Sequence, residues 1–519
     1  MLNRRAAAGL IAFACLGAAP ISGPRVQLKS GIVAGEAADS LRIFRGVPFA
    51  APPVGDLRWK PPQPVGPWTG TRDATHFAPR CMQQPVFSDM MFRSPRISED
   101  CLYLNVWTPA AARSSHLPVL LYFYGGGFIA GDASELRYDG ASLARRGIIV
   151  VTANYRLGIF GFLAHPELTS ESPHHASGNY GLLDQVEALR WVRHNIAAFG
   201  GDSTRITIGG ESAGSASVSA LMASPLSAPL IAGAIGESGA FIGSALSVEP
   251  LARAESYGVV LAHAFGAASL AELRSLSADS LLSASSQDGV HFPRATIDGW
   301  FLPRSPEEIF AAGAGAHVPL LVGWNSQESS WRDLLNNQEP TPDRYAAELG
   351  RVFGNQASEA ARVLPGRTPA EVQESGTLLA GALFTGYGTW KWAALQGRSG
   401  QPVYRYLYAR PRPAARNPAE NPQQTGAVHS AEIEYLLGNL STNQVYLWTP
   451  DDDSLSALMQ AYAVNFVRTG DPNGPGLPRW PRAGSATAAQ VMILDVHSHA
   501  ELSSQDSAYR FIDRFYGGR

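Results

Sequence analysis

Residues Arg205–Gly214 read RITIGGESAG: a short β-branched run, then Gly210-Glu211-Ser212-Ala213-Gly214, then small residues from Ser215 that suit a helix. A serine between glycines at a strand-to-helix turn is a nucleophile elbow, the device that lifts a hydroxyl above a sheet for attack on a carbonyl carbon. Flanking glycines let the backbone close beneath a strained residue. Such a serine also needs N–H donors for the oxyanion that its attack creates. Tyr122–Phe128 reads YFYGGGF directly after a strand-like run, where a donor loop is expected. Gly126 and Gly127 would offer bare amides, with the Ala213 amide as a third. Loss of one donor of this kind costs on the order of 3 kcal/mol, so the loop belongs to the chemistry.

A serine nucleophile further requires a base and an acid to orient it. In an elbow-bearing chain these follow in the order nucleophile, acid, histidine. Glu328, in GWNSQESSW after the apolar run Val318–Gly323, fits the acid. Asp298 is the rival, in the turn-like Ile297-Asp298-Gly299 with no clear strand before it. Two histidines compete as base: His429 in GAVHSAEIEYLLG, and His497 at the end of VMILDVH. Pattern alone does not separate them. His263 and His317 read as ordinary helix and loop residues. Only a neutral imidazole accepts the serine proton, so activity should rise with pH through one ionisation, at about 6.5 if the histidine is unperturbed.

The elements that must position these groups alternate. Val119–Tyr124, Ile148–Ala153, Arg205–Gly209, Val318–Gly323 and Val403–Tyr408 are short apolar runs separated by helical patterns, as in a mostly parallel sheet with crossover helices. Leu182, Val186, Leu189, Val192, Ile196 and Phe199 recur at steps of three and four, one helix face packed on a sheet. Residues from about 330 to 397 break the alternation with alanine-rich helical sequence that includes Tyr387, Trp390 and Trp392, an insertion over the sheet. The proline-rich stretch Arg410–Pro422 reads as a loop within one domain.

With 41 basic and 44 acidic side chains, a net charge of −3 and no long run of either sign, the chain has no surface built for nucleic acid, and a small-molecule partner is expected. Arg4 and Arg5 precede a short apolar stretch, Ala6–Ala19, which Pro20, Gly23 and Pro24 end. It is too short for a stable membrane span and reads as a signal peptide over residues 1–23, implying a periplasmic or secreted protein. Cys15 also resembles a lipoprotein cleavage site. Two cysteines then remain, Cys81 and Cys101, and an even pair in an exported chain reads as a disulfide.

FRGVPFAAPPVGDLRW from Phe44, SEDCLYLNVWTP from Ser98, NYRLGIFGF from Asn154, FGGD from Phe199 and GGESAG from Gly209 together resemble the type-B carboxylesterase family, which includes cholinesterases and bacterial carboxylesterases. The resemblance runs from about Gly31 into the C-terminal region. It implies an α/β-hydrolase fold over residues 24–519, with helices on both faces of the sheet and the insertion above. It places the catalytic serine, glutamate and histidine on Ser212, Glu328 and His429, deciding against His497. It places the oxyanion donors on Gly126, Gly127 and Ala213 and the first disulfide on Cys81 and Cys101. The implied function is hydrolysis of carboxylic esters through an acyl-enzyme, with no cofactor and no metal. A carbamate or activated amide is the alternative substrate, and a non-catalytic binding protein of this family the other reading, disfavoured because serine, acid and histidine are all present. Where cholinesterases carry a choline-binding tryptophan, this sequence has Met90-Met91-Phe92, which points to neutral, moderately apolar esters. Glu211 is assigned to a polar network under the elbow.

Overall fold

The computed structural model describes residues 23–112, 116–243, 247–285, 294–484 and 489–517. The expected signal peptide, apart from its last residue, and Cys15 lie outside them. An eleven-stranded sheet organises the chain. Its strands are β1 (Glu36–Ala38), β2 (Leu41–Pro48), β3 (Tyr103–Pro109), β4 (Leu117–Phe123), β5 (Ile149–Ala153), β6 (Gly201–Glu211), β7 (Gly233–Glu237), β8 (Leu320–Asn325), β9 (Val403–Tyr408), β10 (Gln490–Leu494) and β11 (His499–Leu502). They lie in the order β11-β10-β9-β8-β7-β6-β4-β5-β3-β2-β1. All neighbours from β5 to β10 pair in parallel, and antiparallel strands close both edges. The fold is that of an α/β hydrolase.

The central stretches of the parallel strands are mostly apolar and buried because helices cover both faces. Helix α1 (Tyr180–Asn195) and the short turn after it bury Leu182, Val186, Leu189, Val192, Ile196 and Phe199 completely, which explains their helical spacing. β7 did not stand out in the sequence, because Gly233-Ala234-Ile235-Gly236-Glu237 has one β-branched residue and ends in an acid. The strand in VMILDVH stops at Leu494, leaving His497 exposed in the turn before β11.

Helix α2 (Ala213–Ala223) follows the elbow. Residues 331–398 are mostly helical, including α3 (Pro342–Phe353), α4 (Pro369–Gly381) and α5 (Tyr387–Arg398), with a π turn at Ala382–Gly386 between the last two. They share a second apolar core with α6 (Asp506–Gly517), built from Tyr345, Leu349, Phe353, Val372, Leu379, Tyr387, Trp390, Tyr509, Phe511, Ile512 and Phe515. Trp392 turns the other way, into the main core. The 410–422 segment forms no helix or strand. Cys81 and Cys101 are disulfide-bonded, closing the loop that carries Val86–Phe92. Among the described residues no helix is long and apolar enough to cross a membrane.

Candidate active site

Ser212 stands between β6 and α2 at φ 55°, ψ −119°, a conformation that side chains other than glycine seldom adopt. Its amide donates to the Glu237 carbonyl of β7 at 2.8 Å, which ties the turn to the neighbouring strand. The elbow closes because Gly214 has no side chain: a Cβ there would lie 2.1 Å from the Phe123 carbonyl oxygen. The glycine loop after β4 is held equally close. A Cβ on Gly125 would sit 2.6 Å from Glu211 Oε2 and 3.1 Å from Ser212 Cβ. Among the described residues the amides of Gly126 and Gly127 donate to no backbone acceptor, and the Ala213 amide opens α2, where no carbonyl one turn back can receive it. Three N–H groups, one following the serine and two in the loop whose Gly125 packs on it, thus have no backbone acceptor among the described residues.

Ser212 Oγ lies 2.9 Å from His429 Nε2, and His429 Nδ1 lies 2.6 Å from Glu328 Oε2. The other oxygen of Glu328 accepts from Ser238 Oγ at 2.5 Å and from the Asn325 amide at 2.6 Å, which fixes the carboxylate. Asp298 instead accepts from Asn179 Nδ2 and from the Trp300 and Leu302 amides, the inside of a turn. His497 is exposed and His317 bonds the Gly313 carbonyl. Ser329, next to the acid, donates to Asp333 at 2.9 Å.

Behind the histidine lies a wall of buried acids that the sequence did not reveal beyond Glu211. Glu211 Oε1 is 3.3 Å from His429 Nε2. Glu432 accepts from Asn325 Nδ2 at 2.6 Å and from Ser238 Oγ at 3.3 Å. Glu237 accepts from Tyr122 Oη at 3.0 Å. Glu432 sits three residues after His429, but no local pattern marks such a role, because its partners come from Ser238 and Asn325. Desolvation pulls the His429 imidazolium down, yet Glu211, Glu328 and Glu432 outweigh it and carry it up to about 10. Burial in turn raises Glu211 to about 8, against the pull of His429 and with the push of Glu432 and Glu328. Burial and Glu328 raise Glu432 to about 7. These groups compete for the same protons: once Glu211 or Glu432 takes one, its share of the negative charge that holds the imidazolium is lost and Glu328 remains. The ionisation expected at about 6.5 for an unperturbed histidine is therefore moved upward.

Apolar groups line the same place. The Phe384 ring, in the π turn, meets the His429 ring edge-on at 4.9 Å, and Phe128 stacks on Phe241 at 5.3 Å. Met90 Cε would lie 2.9 Å from a Cβ on Gly126. The Phe92 ring already carries the Arg80 guanidinium 5.0 Å from its centre.

A family model described as the carboxylesterase family matches residues 22–512. The chain belongs to the carboxylesterase family. It is 38 % identical over 465 residues to a fumonisin B1 esterase of Sphingopyxis macrogoltabida, covering 88 % of this chain and 83 % of that one. It is 35 % identical over 480 residues to the cocaine esterase of Homo sapiens, covering 85 % and 81 %. Among solved structures a PNB esterase superposes with a TM-score of 0.80 at 31 % identity, over 94 % of this chain and 99 % of the other. A Geobacillus stearothermophilus carboxylesterase also reaches 0.80, at 30 % identity and the same coverage. This carboxylesterase is a serine hydrolase of carboxylic esters. Among the described residues no group of three histidine, cysteine, aspartate or glutamate side chains could hold a metal ion.

Proposed function

We propose that Ser212, His429 and Glu328 carry ester hydrolysis by a two-step acyl-enzyme mechanism, on neutral, moderately apolar esters. The observation that carries this reading is the continuous hydrogen-bonded line from Ser212 Oγ through the imidazole to Glu328. His429 Nε2 takes the hydroxyl proton as Ser212 Oγ bonds to the ester carbonyl carbon. The Gly126, Gly127 and Ala213 amides receive the oxyanion. On collapse the bond from carbon to the alkoxy oxygen breaks, and His429 returns the proton to the departing alcohol. Water, deprotonated by His429, then attacks the acyl-serine and releases the acid. Glu328 holds Nδ1 protonated and stabilises each imidazolium.

The preference for neutral esters rests on the rim. Phe384 and Met90 are apolar, and the Phe92 ring in the Met90–Phe92 stretch already carries the Arg80 cation, which would repel a second one there. Residues 24–519 act in this reading as one hydrolase domain, exported after removal of residues 1–23, an environment in which the Cys81–Cys101 bond persists. The test is reaction with an organophosphonate followed by peptide mass analysis. One adduct, on Ser212, is expected, together with loss of turnover in folded Ser212→Ala. Folded Ser212→Ala with near wild-type turnover would sink the mechanism.

A further inference from the structure

Four carboxyl groups are buried in the network that reaches one imidazole: Glu211, Glu328 and Glu432, which act on His429, and Glu237, paired across the sheet with Glu211. Arg137, whose charge reaches Glu211, is already paired with Glu135 and Asp89. One imidazolium cannot balance four carboxylates in a low-dielectric interior, so some of them must hold protons. Glu328 and Glu211 face the histidine, and Glu432 receives Asn325 and Ser238. Glu237 bonds none of the three triad side chains. Its Oε1 accepts from Tyr122, and its Oε2 is buried without a partner.

The sheet register shows what faces that oxygen. Glu211, Glu237, Gly323 and Tyr406 are paired in line across β6, β7, β8 and β9, which places all four on one face of the sheet. Gly323 leaves a gap in this row. A Cβ there would lie 2.3 Å from Tyr406 Cγ, so the tyrosine ring lies across the glycine, between its own strand and that of Glu237. Tyr406 Oη is likewise buried without a partner. An unpartnered carboxyl oxygen and an unpartnered phenol thus share one enclosed row. Each would cost about 1–3 kcal/mol if left unbonded.

We propose that Glu237 is a protonated acid of the buried network around the hydrolytic centre: it remains a carboxylic acid through turnover, reaches Tyr406 Oη with its Oε2 proton across one enclosed water, and so adds no further negative charge to the acids that face His429. The inference rests on His429 being the base. Were Glu237 a carboxylate, it would join Glu211 and Glu328 in stabilising the imidazolium and leave less neutral imidazole to accept the serine proton. The groups facing it agree in sign. Burial, then Glu432 from the His429 segment and Glu211 from β6, push Glu237 well above the carboxylate range, against the one hydrogen bond from Tyr122 of β4. Burial likewise raises the Tyr406 phenol of β9, with Glu432 and Glu328 acting in the same direction. Burial and Tyr138 raise Tyr122.

The test is the infrared difference spectrum between wild type and Glu237→Gln at neutral pH, with the pH profile of kcat/KM for a neutral aryl ester. Expected are loss of a carboxylic-acid C=O band in the variant and an acid limb whose midpoint does not move, because an uncharged amide replaces an uncharged acid. Carboxylate bands in the difference spectrum, or a limb displaced to lower pH by about half a unit or more, would overturn the proposal. If Glu237→Gln fails to fold, Tyr406→Phe serves: it should shift the same C=O band, and an unmoved band would overturn the proposal. The spectra need no turnover, so they are read independently of whether Ser212 is the nucleophile.

Discussion

Around Ser212 the strand ends bury Glu211, Glu237, Glu328 and Glu432 among glycines and serines, hold a serine at positive φ, and leave polar atoms of Glu237, Asn325 and Tyr406 without partners. The helical unit of residues 331–398 with α6 is built the other way. Tyr345, Leu349, Phe353, Leu379, Phe511 and Ile512 fill its interior, and charged pairs such as Arg514–Glu359 and Arg351–Glu348 stay at its surface. A polar, strained interior destabilises a fold, and its concentration at one place marks that place as the site of chemistry. The apolar unit contributes stability and a wall. The two meet where Phe384 leans on His429 and where Gly381 packs against Glu328.

If the division is right, changes on the two sides should separate activity from stability. The largest effect should come from His429→Ala, with turnover lower by about 10⁴-fold or more and thermal unfolding moved by no more than a few degrees. His497→Ala, in the exposed turn, should leave turnover unchanged, and the reverse ranking would move the base to His497. On the other side, Phe353→Ala should cost about 3–5 kcal/mol of stability, read by denaturant unfolding, because it opens a cavity among Phe511, Phe515 and their neighbours. Its kcat/KM below the unfolding transition should stay within about threefold of wild type. A larger fall would show that the helical unit acts on the chemistry and does not merely wall it.

Breaking the Cys81–Cys101 bond probes the boundary. Its sequence separation of 20 corresponds to roughly 3 kcal/mol of loop-closure stabilisation. Reduction should lower the melting temperature with little change in turnover at low temperature. Loss of turnover without loss of stability would place the loop itself in the reaction.

The smallest expected effect concerns substrate charge and asks whether the acid wall reaches the substrate. Comparison of kcat/KM for butyrylcholine and its tert-butyl isostere should show the neutral ester equal or better, since the Arg80 cation already lies against the Phe92 ring and would repel a second. A preference of about tenfold for the choline ester would mean that Glu211 faces the alcohol as a carboxylate.

The elbow, the triple-glycine loop, five of the seven parallel strands and the helix over Leu182–Phe199 were legible in the sequence because each is a local pattern: a turn needing glycine, a β-branched run, a period of three to four. The short β7 escaped because two glycines and an acid dilute its strand signal. Pattern could not choose between His429 and His497, since both follow strands. The resemblance chose His429, and the contacts that suit it to the role span 217 residues to Ser212 and 101 to Glu328, separations over which no periodicity operates. The acid wall was hidden for the same reason. Glu237 and Tyr406 become neighbours through strand register across Gly323, and a buried glutamate looks like a surface one in sequence until the sheet decides which face it joins.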